Sequence, residues 1–250
     1  MKIPLVQLWD ICIKFLWDET YIKSLNSFLK KKEVKTILDC AGGTGFPSIA
    51  LKKLGWDIAY SDKSETMLKV FKEKLKEEQL QIPYYISDWA ELSKNIPKKF
   101  DAILCRANSL IYIDSWGKNK IQNKETKERI KKSLQEFYNL LNKNGLLYID
   151  IINKNEYDQS KYPIIEDFGK KVIDGKKVNL IWEFIHDYDN KRRIWKSILD
   201  VDGEKYESEY YSYLLRHGEL VNLLREVGFK KIEETEIEGE DNYTVFIAYK

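Results

Sequence analysis

The residues with the clearest capacity for chemistry lie in the segment TILDCAGGTGFP at positions 36–47. An apolar run ends there on Asp39, and Gly42, Gly43 and Gly45 follow closely. Glycine tolerates positive φ and lacks a Cβ, so a ligand can approach the backbone N–H groups of such a loop. Pro47 suits the first turn of a following helix. A strand, a glycine loop and a helix in this order favour a nucleotide-binding corner.

The residues around this loop indicate which kind of nucleotide fits. A G-x-G-x-x-G dinucleotide motif that starts at Gly43 needs glycine where Ser48 stands, so the pattern disfavours NAD. The G-x-x-x-x-G-K-[ST] motif of triphosphate-binding loops is also missing from the sequence. A second acidic residue, Asp62, ends the next apolar run and is placed to accept hydrogen bonds from both ribose hydroxyls, although it is also a candidate helix N-cap.

Strands alternate with helices from residue 35 to residue 152, as a parallel sheet with crossover helices requires. The predicted strands are 35–39, 56–62, 83–86, 100–105 and 146–152, with helices at 48–54, 65–76, 89–92 and 124–141 and a turn at Asn144-Gly145. Two more strands, 229–236 and 243–249, complete a doubly wound, mostly parallel seven-stranded α/β sheet. Ligands bind such sheets at the carboxyl ends of the strands, where the glycine loop and both aspartates are expected.

Two segments fall outside this alternation. Residues 1–33 have apolar positions at three- and four-residue spacing, which predicts a cap of two helices. Residues from about 156 to 213 alternate in polarity around the turn signals Asp174-Gly175 and Asp189-Asn190, which predicts a small antiparallel insertion that covers the site. A last helix is predicted at 218–227. We expect residues 1–250 to form one domain with these two additions.

Charge and composition restrict the partners. Lys and Arg total 42 against 40 Asp and Glu, and a net charge of +2 gives no reason to expect nucleic acid. Cys12, Cys40 and Cys105 are widely spaced in apolar sequence, which indicates reduced thiols. We find no signal-peptide pattern and no run of about 18 apolar residues, so we expect a cytoplasmic protein without membrane contact. His186 and His217 are the only histidines and lack neighbouring ligands, so no metal site is expected.

The segments ILDCAGGTG and SDKSETML resemble the first two motifs of class I S-adenosylmethionine-dependent methyltransferases. ISDW and FDAILCRANSLIYI are similar to later motifs of that family, so the resemblance covers residues 37–152 strongly and the C-terminal strands loosely. It implies S-adenosyl-L-methionine as cofactor, S-adenosyl-L-homocysteine as product, and a ribose-binding Asp62. The cofactor-binding residues that it implies are Asp39, Ala41, Gly42, Gly43, Gly45, Asp62, Lys63, Met67, Asp88, Trp89 and Cys105.

Within this family, CRANSLIYI, NGLLYID and EYYSY are most similar to the glycine and sarcosine N-methyltransferases. The resemblance implies catalytic roles for Asn108 and Tyr211. It also implies an acceptor pocket formed by Trp9, Arg106, Asn108, Tyr112, Tyr211 and Arg216. Glycine methyltransferases carry an arginine shortly after the aspartate that ends strand five, whereas the segment from Asp150 to Asn153 contains none. Arg106 or Arg216 is then the alternative partner for a substrate carboxylate.

Methyl transfer from a sulfonium needs mainly an aligned, unprotonated nucleophile and the exclusion of water. Aromatic walls shelter amines through cation–π attraction, and aromatic residues make up 13% of this chain. We therefore expect methyl transfer to a small molecule, an amine such as a glycine-like amino acid. A nucleic-acid methyltransferase is an alternative, although such enzymes tend to carry an N-P-P-Y-like motif after strand four. A non-catalytic module that binds a nucleoside is a second alternative.

Overall fold

The computed structural model describes residues 2–114, 121–157 and 163–250. Its first elements are two helices, α1 (Leu5–Leu16) and α2 (Glu19–Lys31), so both helices expected within residues 1–33 are present. Asp18 separates them and caps α2, because its side chain accepts a hydrogen bond of 2.8 Å from the backbone N–H of Thr20. None of the helices in the described ranges is long and apolar enough to cross a membrane.

Eleven strands in the described ranges form two sheets. In chain order they are β1 (Thr36–Asp39), β2 (Asp57–Asp62), β3 (Tyr84–Ile86), β4 (Phe100–Cys105), β5 (Leu141–Ile152), β6 (Ile164–Ile173), β7 (Lys176–Asp187), β8 (Arg192–Val201), β9 (Glu204–Tyr213), β10 (Lys231–Thr235) and β11 (Tyr243–Tyr249). The larger sheet has the order β10-β11-β5-β4-β1-β2-β3. β11 pairs antiparallel with both β10 and β5, and the other four pairs are parallel, so the predicted seven-stranded, mostly parallel sheet is confirmed.

Helices cover both faces of this sheet. They are α3 (Ser48–Lys53), α4 (Glu65–Glu77), α5 (Leu92–Asn95), α6 (Asn123–Leu140) and α7 (His217–Glu226), together with α1 and α2. Because successive side chains of a strand point to opposite faces, Ile37 packs into one apolar cluster and Leu38 into the other. Each such fully buried side chain contributes about 1.5–3 kcal/mol. The two clusters hold the carboxyl ends of β1, β2 and β4 in fixed positions.

The turn predicted at Asn144-Gly145 lies inside β5, which begins at Leu141 and not at residue 146. Asn144 has a φ of 64°, and the pairing with β4 shifts register between Phe100 and Ala102. A Cβ on Gly145 would lie 3.1 Å from the carbonyl oxygen of Asp101 in β4. The glycine therefore marks an irregularity within a strand, where two backbones come close, and not a connection between elements.

The smaller sheet has the antiparallel order β6-β7-β8-β9. Asp174 and Gly175 join β6 to β7 with φ values of 48° and 78°, as a tight hairpin turn needs. The second predicted turn, Asp189-Asn190, lies between β7 and β8. Residues 158–162 of the insertion expected at about 156–213 lie outside the described residues. Trp195 of β8 packs edge-on against Trp9 of α1, with ring centroids 6.3 Å apart, so this sheet and α1 are in direct contact.

Candidate active site

The glycine loop is pressed against the aromatic ring of Tyr60. A Cβ on Gly42 would lie 2.3 Å from two carbons of that ring, which leaves no room for any side chain. The Tyr60 hydroxyl donates a hydrogen bond of 2.6 Å to the carbonyl oxygen of Gly43, and its ring stacks on Phe71 at 4.0 Å. Gly43 and Gly45 adopt positive φ, at 51° and 107°. Both the space and the backbone conformation of this loop therefore require glycine.

Asp62, at the end of β2, holds the glycine loop and the start of α4 together. Its Oδ2 accepts a hydrogen bond of 2.9 Å from the N–H of Gly43, and its Oδ1 accepts one of 2.8 Å from the N–H of Ser64. The side-chain cap of α4 is Ser64, which accepts from the N–H of Met67 at 3.2 Å. Burial raises the pKa of Asp62. Each carboxylate oxygen can accept a further hydrogen bond, so Asp62 keeps capacity for a ligand.

Asp39, at the end of β1, lies under the loop and is fully buried. Its Oδ2 accepts a hydrogen bond of 2.6 Å from the Ser48 hydroxyl, and burial raises its pKa to about 6. Ser48 stands where a dinucleotide motif would need glycine, and here it ties the first turn of α3 to β1. Asp39, the acidic residue that precedes the glycines, thus stabilises the loop from its buried side.

A cavity lies at the carboxyl ends of β1, β2 and β4. Its described lining residues are Trp9, Ile13, Cys40, Ala41, Gly42, Gly43, Thr44, Phe46, Asp62, Lys63, Ser64, Met67, Ser87, Trp89, Arg106, Ala107, Ser109 and Tyr112. Seven of the eleven predicted cofactor residues are among them, whereas Asp39, Gly45, Asp88 and Cys105 are not. Three lining residues that were not predicted lie next to the predicted loop residues, namely Cys40, Thr44 and Phe46. No sequence pattern predicted that Ile13 would line the cavity. Among the described residues, no three His, Cys, Asp or Glu side chains form a group that could hold a metal.

The four predicted residues that do not line the cavity support its walls. A Cβ on Gly45 would lie 2.7 Å from Phe71, so this glycine allows α3 and α4 to pack closely. Cys105 is buried at the end of β4. Asp88 caps the turn that contains Trp89 by accepting a hydrogen bond of 3.0 Å from the N–H of Ala90, and it pairs with Arg129 at 2.9 Å.

Lys63, which follows β2, and Trp89, which follows β3, form one wall of the cavity. The Trp89 indole N–H donates a hydrogen bond to the carbonyl oxygen of Cys40, which fixes the ring beside the glycine loop. The Lys63 ammonium lies 6.0 Å from the centre of the Trp89 ring and donates a hydrogen bond of 3.0 Å to the carbonyl oxygen of Ile113. Burial lowers the pKa of Lys63. A flat aromatic surface and a positioned cation thus lie next to Asp62.

The loop after β4 is fixed by Asp150. Its two oxygens accept hydrogen bonds from the N–H of Ala107 at 3.0 Å and from the N–H of Asn108 at 2.6 Å. Both donors have positive φ, at 58° and 54°. Asn108 is 1% exposed, and no atom in the described part of the chain donates a hydrogen bond to its carboxamide oxygen. Asn108 itself is not among the lining residues, but its neighbours Ala107 and Ser109 are, and its buried acceptor atom has no partner among the described residues.

Tyr112 and Trp9 form the wall next to the smaller sheet. The Tyr112 hydroxyl accepts a hydrogen bond of 3.2 Å from Nη1 of Arg193, which pairs with Glu156 at 3.0 Å. Burial is the main cause that raises the pKa of Tyr112 to about 12, so the hydroxyl is protonated near neutrality. The sequence did not predict this role for Arg193 and Glu156. One lies in a strand and the other after a strand, and no local pattern indicates that two such charged residues pair in the interior.

Two of the predicted acceptor residues lie elsewhere. Tyr211 on β9 donates a hydrogen bond from its hydroxyl to Glu209, while its neighbour Tyr210 stacks on Trp195 with centroids 5.0 Å apart. Because side chains alternate along a strand, Tyr210 faces the interior and Tyr211 faces away. Arg216 is exposed before α7, with its guanidinium 4.9 Å from the ring of Tyr188. The structure brings neither Tyr211 nor Arg216 to the cavity.

Comparisons with known proteins agree with this architecture. Residues 37–145 match a family model described as a methyltransferase domain. The glycine/sarcosine N-methyltransferase of Aphanothece halophytica is 30% identical over 98% of this chain and 88% of its own length. The enzyme of that name from Halorhodospira halochloris is 32% identical over 91% of this chain and 78% of its own length. The crystal structure of Streptomyces venezuelae DesVI superposes with a TM-score of 0.78 over 99% of both chains at 15% identity, which supports the fold.

Proposed function

Because the chain belongs to the S-adenosylmethionine-dependent methyltransferases and is similar to glycine/sarcosine N-methyltransferases, we propose that it methylates the nitrogen of a small-molecule amine. The family establishes an enzyme that uses S-adenosyl-L-methionine, so a non-catalytic nucleoside-binding module is not retained. The observation that carries the amine is the buried carboxamide oxygen of Asn108, which accepts no hydrogen bond from the described residues. An amine N–H can donate the hydrogen bond that this oxygen lacks.

The cavity fits this cofactor. A Cβ on Gly43 would project into the space between the loop and α1, 3.7 Å from the Trp9 indole nitrogen, so the glycine keeps that space open. Asp62 lines the cavity with a carboxylate that has remaining acceptor capacity, as ribose hydroxyls need. Trp89 and Met67 offer apolar surface to an adenine. Bound there, the cofactor supplies an electrophilic methyl group on a sulfonium.

The residues on the other side of the cavity would prepare the acceptor. Asn108 would accept a hydrogen bond from the amine and so direct the nitrogen lone pair, and Asp150 keeps Asn108 in place through its backbone N–H. Trp9, Ile13 and Tyr112 line the same cavity with largely apolar surface that excludes water. Such surroundings disfavour the ammonium form, so the bound amine is neutral and nucleophilic.

The position of α1 supports a small acceptor over a nucleic acid. Asp10 of α1 accepts a hydrogen bond of 2.8 Å from the Thr44 hydroxyl and also pairs with Lys74 of α4. These contacts hold Trp9 against the glycine loop and narrow the approach to the cavity. An enzyme that methylates a base must admit a nucleotide that has been flipped out of its stack.

The three cysteines of the chain are free thiols in the structure. Cys40 follows β1 and Cys105 ends the neighbouring strand β4, and the two form no disulfide. Free thiols persist in reducing compartments, so we infer that the enzyme works in the cytoplasm.

A panel of amines, amino acids, phenols and short single-stranded oligonucleotides tests the acceptor class. The assay measures S-adenosyl-L-homocysteine formed from S-adenosyl-L-methionine, and the wild-type chain without acceptor provides the background. We expect turnover with at least one amine and background rates with phenols and oligonucleotides. Turnover confined to phenols or oligonucleotides would refute the proposal.

A further inference from the structure

Arg106 is a charged side chain held rigidly inside the cavity. It follows β4, lines the cavity and is 3% exposed. The centre of its guanidinium group lies 4.4 Å from the ring of Tyr21, 5.0 Å from that of Trp17 and 5.3 Å from that of Phe46. Its Nε donates a hydrogen bond to the Tyr21 hydroxyl. Three aromatic rings and one hydrogen bond therefore fix the plane of the guanidinium group.

The outer edge of this guanidinium group lacks an acceptor. In the described ranges, no atom accepts a hydrogen bond from Nη1 or Nη2, and Nη2 is buried. The nearest carboxylate oxygen, Oε2 of Glu240, is 3.7 Å from Nη2 and accepts instead a hydrogen bond of 2.8 Å from the Trp17 indole. Burial raises the pKa of Glu240, which makes this carboxyl a weaker partner for the cation. A buried cation with unused donors is costly unless an anion binds it.

The order of the strands indicates which end of the ligand reaches Arg106. Strand β1, with its glycine loop, lies between β2 and β4. Asp62 ends β2 and Arg106 follows β4, so the two charged side chains flank the loop on opposite sides. If the ribose lies at Asp62, the amino-acid end of the cofactor extends across the loop toward Arg106. That end carries the one carboxylate of S-adenosyl-L-methionine.

We propose that Arg106 forms a carboxylate-binding site in the cavity and that its ligand is the α-carboxylate of the cofactor's methionine portion. A guanidinium edge with two free N–H donors matches the two oxygens of a carboxylate. In this role Arg106 binds the carboxylate of the cofactor. The alternative is that the same guanidinium group binds a carboxylate of the methyl acceptor. The proposal deepens the proposed function and rests on the cofactor alone, so it holds whichever amine is methylated.

Calorimetry with three ligands tests this site in the full-length protein. The ligands are S-adenosyl-L-methionine, its decarboxylated form and 5′-methylthioadenosine, which lacks the amino-acid portion. We expect the wild type to bind S-adenosyl-L-methionine about 10- to 100-fold more tightly than the decarboxylated form, as one charge-assisted contact implies. Arg106→Met should reduce this ratio below about threefold and leave the affinity for 5′-methylthioadenosine unchanged, which also shows that the variant is folded.

Lys63→Met is the matched control, because it removes the other cation that lines the cavity. We expect it to keep the wild-type preference for the carboxylated cofactor. Equal wild-type affinity for both forms would overturn the proposal without any variant, and so would an unchanged ratio in Arg106→Met. An unchanged ratio combined with a raised KM for a carboxylated acceptor would assign the site to the acceptor instead. Absence of amine methylation would contradict the proposed function and leave these ratios intact.

Discussion

Replacement of Asp62 by alanine separates the two tasks that the structure assigns to this carboxylate. Its oxygens accept backbone hydrogen bonds from Gly43 at 2.9 Å and from Ser64 at 2.8 Å, which join the glycine loop to α4. It also lines the cavity, where we propose that it binds the ribose hydroxyls. Asp62→Ala should therefore lower both the stability of the ligand-free protein and the affinity for the cofactor.

The two effects differ in size. A net hydrogen bond to a charged group contributes about 1.5–3 kcal/mol, and removal of a buried carboxylate also removes its desolvation cost, so we expect a stability loss of about 1–3 kcal/mol. Loss of the acceptor for two ribose hydroxyls should weaken cofactor binding by about 2–4 kcal/mol, which is a factor of about 30 to 1,000 in Kd.

Urea unfolding of the ligand-free protein measures the first effect, and calorimetry with S-adenosyl-L-homocysteine measures the second. The control is Asp57→Ala, which removes an exposed aspartate at the other end of the same strand, 3.7 Å from the Lys98 ammonium. Exposed ion pairs contribute about 0–1 kcal/mol, so this control should behave almost like the wild type in both assays.

The expected loss of cofactor affinity is specific to position 62. If Asp62→Ala and Asp57→Ala bound S-adenosyl-L-homocysteine equally well, the ribose would not be held by Asp62. If Asp62→Ala lost affinity only in proportion to its unfolded fraction, the carboxylate would have a structural role alone.

Three further predictions concern the loop, the acceptor and a buried acid. Gly42→Ala should cost about 1–3 kcal/mol in urea unfolding, because its Cβ would lie 2.3 Å from the Tyr60 ring, whereas Gly218→Ala, with open space around it, should not destabilise. Asn108→Ala should lower kcat/KM for the amine about 10- to 100-fold while the Kd for S-adenosyl-L-homocysteine stays unchanged; an equal loss in both would contradict its acceptor role. Burial raises the pKa of Glu240 in the folded protein above that of a free glutamate, so this group lowers stability as pH rises between these two pKa values. The unfolding free energy of Glu240→Gln relative to the wild type should then rise by up to about 1.4 kcal/mol per pH unit in that window, and a flat difference would refute this.

The parts of this fold that sequence predicted well are those with strong local rules. The segment from Thr36 to Asp39 is apolar and β-branched, and three glycines follow it, so strand, loop and helix could be placed from local preferences. The hairpin at Asp174-Gly175 needed residues that tolerate positive φ, which the sequence displays directly. Of the predicted cofactor residues that line the cavity, Ala41, Gly42 and Gly43 belong to this loop, whereas the others lie at or after the ends of β2 and β3.

The acceptor side depends on contacts between distant parts of the chain, and of its six predicted residues Trp9, Arg106 and Tyr112 line the cavity. The expected pocket residue Tyr211 lies on the outward face of β9. Side chains alternate along a strand, so the register of β9 decides whether Tyr210 or Tyr211 points inward, and turn signals do not reveal that register. The pairing of Arg193 with Glu156 joins residues from β8 and from the turn after β5. This ion pair forms when the smaller sheet packs, and no local sequence pattern predicts it.

The most direct test of the account is the fate of a deuterated methyl group. The enzyme is incubated with S-adenosyl-L-methionine labelled on the methyl carbon and with an amine that the panel identifies, and the product is analysed by mass spectrometry and NMR. We expect a labelled methyl group on the amine nitrogen and an equal amount of S-adenosyl-L-homocysteine. A label found on oxygen or on a nucleic-acid base, or no transfer to any amine, would contradict it.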